Sequence, residues 1–351
     1  MRVSDSQPKL SERHPEQGKL NIPQQAIARM VVFKVSLRRL PNSITMIQKK
    51  LSDFLHPRYW ATWIGVGVLR VLSILPLPVT HGLGNIVGDL IHGLHKPRRH
   101  IALRNIERCF PELPAQEHKR LVRQQFCEVT KSTLSIGLNW WASKTCLNKL
   151  ITLKNEHYYK EALATDKNII LLAPHFVALE IGGIFLSAQT PVVSMYQHTR
   201  NKLIDELVRR GRARFGAVLV ERKAEMLSLV RHTRQGKPFY YLPDQDPGRQ
   251  KGGVFAPFFN IQTATFPMLS RFAHMAKAVV IPCATKQLAQ GRGYEIIFSP
   301  PLENFPSNDE LADTESMNKA IEQMVRAMPE QYFWVHKRFK TRPEGETDFY
   351  V

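Results

Sequence analysis

From about Leu150 onward the chain alternates short apolar runs with helical stretches, and this alternation limits the possible folds more than any other feature. The runs are Asn168–Ala173, Pro191–Met195, Ala217–Val220, Pro238–Leu242, Ala278–Cys283 and Tyr294–Ser299. Between them, Ala178–Ala188, Lys202–Arg214, Lys223–Arg234, Thr265–Ala276 and Thr314–Met328 carry helical spacing. Short apolar runs bounded by turn residues suit buried strands, and the intervening helices suit layers that cover them. The expected fold class is therefore α/β, a mixed central sheet covered by helices. Upstream, His81–His95, Arg98–Phe110 and Ala115–Leu138 read as helices, the second ended by Pro111.

A second constraint is Trp60–Val79, WATWIGVGVLRVLSILPLPV. Its length matches the ~20 residues that cross a hydrocarbon core. Tyr59, Trp60 and Trp63 resemble an interfacial aromatic belt, and Pro76 and Pro78 close the segment. It is expected to be an N-terminal membrane-embedded helix. A buried helix of a soluble core is the alternative, and Arg70 near the middle counts against full immersion. Residues 1–55 read as a polar, poorly ordered extension. Within it, Ile27–Leu40 has the spacing of an amphipathic surface helix.

Charge narrows the partners. The 351 residues carry 49 Lys+Arg against 30 Asp+Glu, a net charge of +19, and are 43% hydrophobic. Such a field favours anionic partners: nucleic acid, lipid headgroups or an acidic carrier protein. The basic residues are spread along the chain rather than gathered with aromatics, which argues against nucleic acid. Four cysteines without a C-x-x-C pair exclude a disulfide scaffold and a zinc ribbon. There is no G-x-S-x-G elbow, no phosphate-binding Walker loop, and no metal site with adequate spacing.

Three clusters carry possible chemistry. The run Asn168–Ala173 stops at Pro174, and His175 follows with Glu180 five residues on. On one continuous helix these two would point roughly 140° apart. They meet only if His175 lies in the strand–helix turn and Glu180 one turn into the helix. A histidine beside a carboxylate is what general-base work requires. The alternative is a satisfied surface or core histidine. Gly211-Arg212-Ala-Arg214 ends a helix, where a guanidinium suits an oxyanion, a phosphate or simply the helix dipole. Asp244-Gln-Asp246 follows the Pro238–Leu242 run and reads as a turn that positions basic side chains rather than a metal loop.

Taken in order, these blocks resemble the late acyltransferases of lipid A biosynthesis, within the wider H-x-x-x-x-D/E glycerolipid acyltransferase group. The resemblance runs from His56-Pro-Arg-Tyr-Trp60 and Arg104-Asn105 to Phe110-Pro111-Glu112, then through His175–Glu180, Tyr196, Asn201 and Asp205. It continues through Gly211–Arg214, Asp244–Asp246, Val254–Phe259 and Gln262–Thr265, and ends in Pro329–Pro343. Many members read Tyr-Arg-Pro where this chain has Tyr196-Gln197-His198, so Arg200 or Lys202 would have to supply a phosphate contact made by that arginine.

The resemblance implies a glycerolipid acyltransferase-like domain over 81–350, after an anchor at 56–80. It implies transfer of a fatty acyl chain from acyl carrier protein to a 3-hydroxyacyl chain of Kdo-lipid IVA. The place would be the cytoplasmic face of the bacterial inner membrane, with no cofactor and no acyl-enzyme. The alternative is another membrane glycerolipid acyltransferase. Carried over by position, His175, Glu180 and Arg212 would be catalytic, and Tyr196, Arg214, Asp244 and Asp246 would bind substrate.

Overall fold

The computed structural model describes residues 50–165, 167–221, 226–248 and 252–351. The extension to residue 49, with the Ile27–Leu40 segment, lies outside the described residues, as do residues 223–225 of the Lys223–Arg234 helix.

The helices are α1 Trp60–Leu72, α2 Leu77–Leu94, α3 Lys96–Cys109, α4 Ala115–Leu134, α5 Ile136–Trp141 and α6 Lys144–Leu150. They continue as α7 His157–Ala164, α8 Leu179–Gln189, α9 Lys202–Ala213, α10 Met226–Arg234, α11 Met268–Ala276 and α12 Glu310–Ala327. The strands are β1 Ile151–Lys154, β2 Asn168–Leu172, β3 Val193–Tyr196, β4 Val218–Glu221, β5 Phe239–Tyr241, β6 Val254–Phe258, β7 Ile261–Thr265, β8 Ala278–Gln287 and β9 Tyr294–Phe298.

Among the described residues seven strands form one sheet in the order β1-β9-β8-β2-β5-β3-β4, and β6 and β7 form a separate hairpin. Neighbours are parallel except β8 and β9, so the sheet is mixed, as the alternation of runs and helices leads one to expect. Both faces are covered. Along β2, Ile170 and Leu172 join one core and Ile169 and Leu171 the other, which is why this strand is apolar at every position after Asn168.

The apolar stretch Trp60–Val79 is not one helix. It breaks over Ser73–Pro76, because proline lacks an N–H and disfavours helical backbone in the residue before it. The first piece has 13 residues, about 20 Å of helix, against a hydrocarbon core of about 30 Å. The second carries His81, Asn85, Asp89 and His92. Among the described residues no helix is long and apolar enough to cross a membrane. The expected spanning segment is instead divided between two helices, α1 packing on α5 and α2 on α4. Gly84 and Gly88 permit this: a Cβ at Gly88 would stand 2.6 Å from the Cys127 Cα.

The C-terminal segment returns to the centre of the molecule. Tyr332 bridges Phe176 in antiparallel fashion, and the Phe333 amide donates to the His175 carbonyl at 3.1 Å. From α3, the buried Asn105 amide donates to the Trp334 and His336 carbonyls at 2.7 and 2.9 Å.

Candidate active site

The site forms at the carboxyl ends of β2, β5 and β3, where open α/β sheets usually receive ligands. Leu172 of β2 and Tyr241 of β5 are registered partners. His175 and Asp244 each follow three residues later, so the sheet register carries them to the same height. The His175 Nδ1 lies 2.6 Å from Asp244 Oδ1, and the His175 amide donates to Asp244 Oδ2 at 2.8 Å. Asp244 is buried, while the histidine side chain is 23% exposed and reaches a cavity.

The electrostatics follow from this contact. Burial alone would push the Asp244 carboxyl up. The facing imidazole, the amide bond and a hydrogen bond from the Tyr332 hydroxyl bring it down to about 2. Burial likewise disfavours a charged His175, but the Asp244 carboxylate outweighs it and raises the imidazole pKa. An ionised Asp244 fixes the proton of a neutral ring on Nδ1 and leaves Nε2 as the acceptor.

Glu180 occupies the first turn of α8, and its carboxylate holds Arg212 rather than His175. Arg212 donates from Nε to Glu180 Oε2 at 2.9 Å and from Nη2 to Oε1. Burial opposes the guanidinium charge, and Glu180 more than restores it. The Tyr196 ring lies 5.6 Å from the same guanidinium, and its hydroxyl donates to the Asp205 carbonyl and carboxylate.

The cavity holds about 350 Å³. Its polar mouth includes His175, Glu180, Tyr196, Arg212, Gln245 and Asp246. Its body follows one face of the sheet in rows set by register. Tyr240, Ser194 and Leu219 are side by side, with Leu242 and Tyr196 one row toward the mouth and Val192 and Ala217 one row away from it. Those rows span about 13 Å at the usual strand rise. Gly183 of α8 faces them: a Cβ there would meet the Tyr240 ring at 3.2 Å. The arrangement is a slot beneath a helix, mostly aliphatic and aromatic, with a histidine base and a held cation at one end.

Comparison with known sequences decides the family. The family model for bacterial lipid A biosynthesis acyltransferases matches residues 47–341. The chain belongs to the bacterial lipid A biosynthesis acyltransferase family. It is 35% identical over 304 residues to a lipid A biosynthesis lauroyltransferase of Escherichia coli (strain K12), covering 86% of this chain and 98% of that protein. It is 32% identical to the palmitoleoyltransferase of the same organism, over 85% and 97% of the two chains. To the myristoyltransferase it is 28% identical, over 85% and 92%. The protein is an acyltransferase that acts in lipid A biosynthesis.

Within this family member, the residues singled out from sequence separate into those that line the cavity, Asp244 behind His175, and Arg214 away from both. His175, Glu180, Tyr196, Arg212 and Asp246 all line the cavity. Asp246 also ties the loop after β5 to the C-terminal segment, accepting from the Thr341 amide at 2.7 Å and its hydroxyl at 2.8 Å. Arg214 is elsewhere: it donates to the Ala142 and Leu138 carbonyls and caps the end of α5, so its contacts are structural. The direct pairing of His175 with Glu180 is replaced by two linked pairs, His175–Asp244 and Glu180–Arg212. The reason is that α8 begins at Leu179 and turns Glu180 toward α9, while β5 inserts beside β2 and delivers Asp244. Sequence reasoning missed Asp244 as the partner of the histidine, and missed Gln245 and Tyr332 altogether. The available signal was that Asp244 follows its apolar run just as His175 follows its own.

Proposed function

We propose that the protein transfers a fatty acyl chain from acyl carrier protein to the hydroxyl of a 3-hydroxyacyl chain on Kdo-lipid IVA. The observation that carries this is the His175–Asp244 pair at the mouth of an apolar slot, with Arg212 fixed beside it. The slot suits an acyl chain, and the names of the relatives, lauroyl-, palmitoleoyl- and myristoyltransferase, suit a slot of that kind. In the proposed step His175 Nε2 takes the proton of the acceptor hydroxyl as its oxygen attacks the thioester carbonyl. Arg212 faces the charge that develops on the carbonyl oxygen. The C–S bond then breaks, and the imidazolium returns its proton to the leaving thiolate. Asp244 holds the ring and stabilises its charged form, so the carboxylate of the working pair is Asp244, and Glu180 acts by fixing Arg212.

The proposed place of action rests on the exposed side chains of α1 and α2. Trp60, Ile64, Val68 and Val71 on α1, and Val79, Leu83, Ile86 and Leu90 on α2, are exposed large apolar side chains. Arg58, Lys96, Arg98 and Arg99 flank them. An apolar face rimmed by cations suits the interface of an anionic leaflet rather than passage through it. On this reading the enzyme rests on the cytoplasmic face of the bacterial inner membrane and takes its lipid acceptor from there. Mass spectrometry of lipid A from cells with and without this gene tests the reaction. A missing acyl chain in the deletion supports it, and identical lipid A profiles overturn it.

A further inference from the structure

Gln245 is the only residue between Asp244 and Asp246, and those two are both anchored. Asp244 accepts from the His175 ring and amide. Asp246 accepts from Thr341 and from the Gly248 amide at 2.6 Å. The backbone that carries Gln245 is therefore pinned on both sides, while its own side chain is exposed. That side chain makes one hydrogen bond among the described residues. Its Nε2 lies 3.0 Å from His175 Nε2, the ring nitrogen that Asp244 leaves as acceptor. Gln245 also lines both the slot and the small pocket behind His175, so it stands on the partition between them.

We infer that Gln245 is a displaceable cap on the basic nitrogen of His175, holding that nitrogen away from water until an acceptor hydroxyl takes its place. This rests on the function proposed above. An amide is suited to the task because it fits both states of the base. It donates N–H to the neutral ring, and by rotating it offers its carbonyl to the protonated one. Its exposure makes it weak enough to leave. A single net hydrogen bond of this kind alters an occupancy by about three- to tenfold.

The consequence concerns a side reaction. With an acyl thioester bound and no acceptor present, a water on Nε2 would be activated as a hydroxyl is. Its oxygen would attack the carbonyl, its proton would pass through His175 to the thiolate, and the products would be free fatty acid and thiol. A capped nitrogen slows that hydrolysis. Transfer to the lipid is spared because the acceptor, bound by the rest of the site, displaces the amide. Gln245 is thus a positioning residue that decides between two acceptors.

The test uses the full-length enzyme with dodecanoyl acyl carrier protein, with and without Kdo-lipid IVA. Gln245→Ala and Gln245→Asn, whose shorter amide cannot reach, are expected to raise fatty acid release without acceptor about three- to tenfold. Their transfer to saturating acceptor should change much less. A structural role would lower hydrolysis and transfer together, and an unchanged or lowered ratio of hydrolysis to transfer overturns the cap. A second measurement does not depend on the proposed reaction. Diethyl pyrocarbonate modification of His175, read by peptide mass spectrometry at a pH where the ring is neutral, should be faster in Gln245→Ala by a similar factor. Equal rates overturn the cap. Absence of any transfer by the wild type, with faster modification in the variant, would overturn the proposed function and leave the contact standing.

Discussion

Replacing Asp244 by Asn separates the two carboxylates that sequence and structure offer to His175. Asp244 uses one oxygen for the His175 amide and the other for the ring. Asparagine has only one oxygen. If that oxygen keeps the buried amide, the NH₂ faces Nδ1, which must then accept, and the proton moves to Nε2. The ring becomes the tautomer that cannot take a proton from the acceptor. If the side chain flips, two donors meet in a buried place, at a cost of about 1–3 kcal/mol. Loss of the charge-assisted bond to the imidazolium adds roughly 1–2 kcal/mol. Together these lower kcat by about 10²- to 10⁴-fold; the equivalent change in a Ser-His-Asp triad costs about 10⁴. The assay is thiol release from dodecanoyl acyl carrier protein in the presence of the lipid acceptor, with circular dichroism as the control for folding. Glu180→Gln is the comparison, and it should cost less because it leaves His175 and Asp244 paired. A folded Asp244→Asn enzyme within about tenfold of wild type, or one less impaired than Glu180→Gln, would refute the assignment.

Other outcomes follow from the same geometry. In wild type, kcat/KM should rise with pH through a value above 6.5, because Asp244 raises the His175 pKa and the base works only when neutral. In Asp244→Asn the limb should move to lower pH. The linked stability has opposite signs. The His175 contribution is full below its unfolded pKa and fades as pH climbs through the raised folded one. The Asp244 contribution is present above the unfolded carboxylate range and is lost as pH falls toward about 2, measurable by denaturant melts across pH. Arg212→Lys should lower kcat with little change in KM, since an ammonium cannot be held by Glu180 through two parallel bonds. Gly88→Val should lower the melting temperature by several degrees, as overpacking against the α4 backbone costs about 1–3 kcal/mol. The paired substitution Val68→Asp with Leu83→Asp should cut sedimentation with vesicles containing anionic lipid, and unchanged binding would place the membrane contact elsewhere.

What could be read from sequence was local. The buried strand Asn168–Leu172, its stop at Pro174 and the histidine just beyond it follow from apolar runs and proline chemistry. So does the arginine at the end of α9. The partner of the histidine was not readable, because it depends on β5 pairing with β2 after β3 and β4 have intervened in the chain. Alternation of apolar runs does not encode that order. The spacing of Glu180 from His175 left open whether the two meet, and the start of α8 decides it by turning the carboxylate to Arg212. The apolar count over Trp60–Val79 likewise overran Ser73–Pro76, where backbone constraints rather than hydropathy end the helix. The β6–β7 turn is hidden for a related reason. Phe259 and Asn260 both have positive φ, and a phenylalanine there gives no turn signal.

The strap that returns to Phe176 has a further consequence for when the enzyme comes into being. Asn105 must meet Trp334 across 229 positions of sequence, and Asp246 must meet Thr341 across 95. Closing loops of that length is slow compared with forming α8 or the β6–β7 hairpin. The early, locally folded forms of the chain therefore contain His175 without the Tyr332 hydroxyl that helps keep Asp244 ionised. A base whose orienting carboxylate lacks that supporting hydrogen bond is a poorer catalyst, so activity should be among the last properties to appear during refolding. A chain cut before Thr341 would keep His175, Asp244 and Arg212 and still lack a finished site.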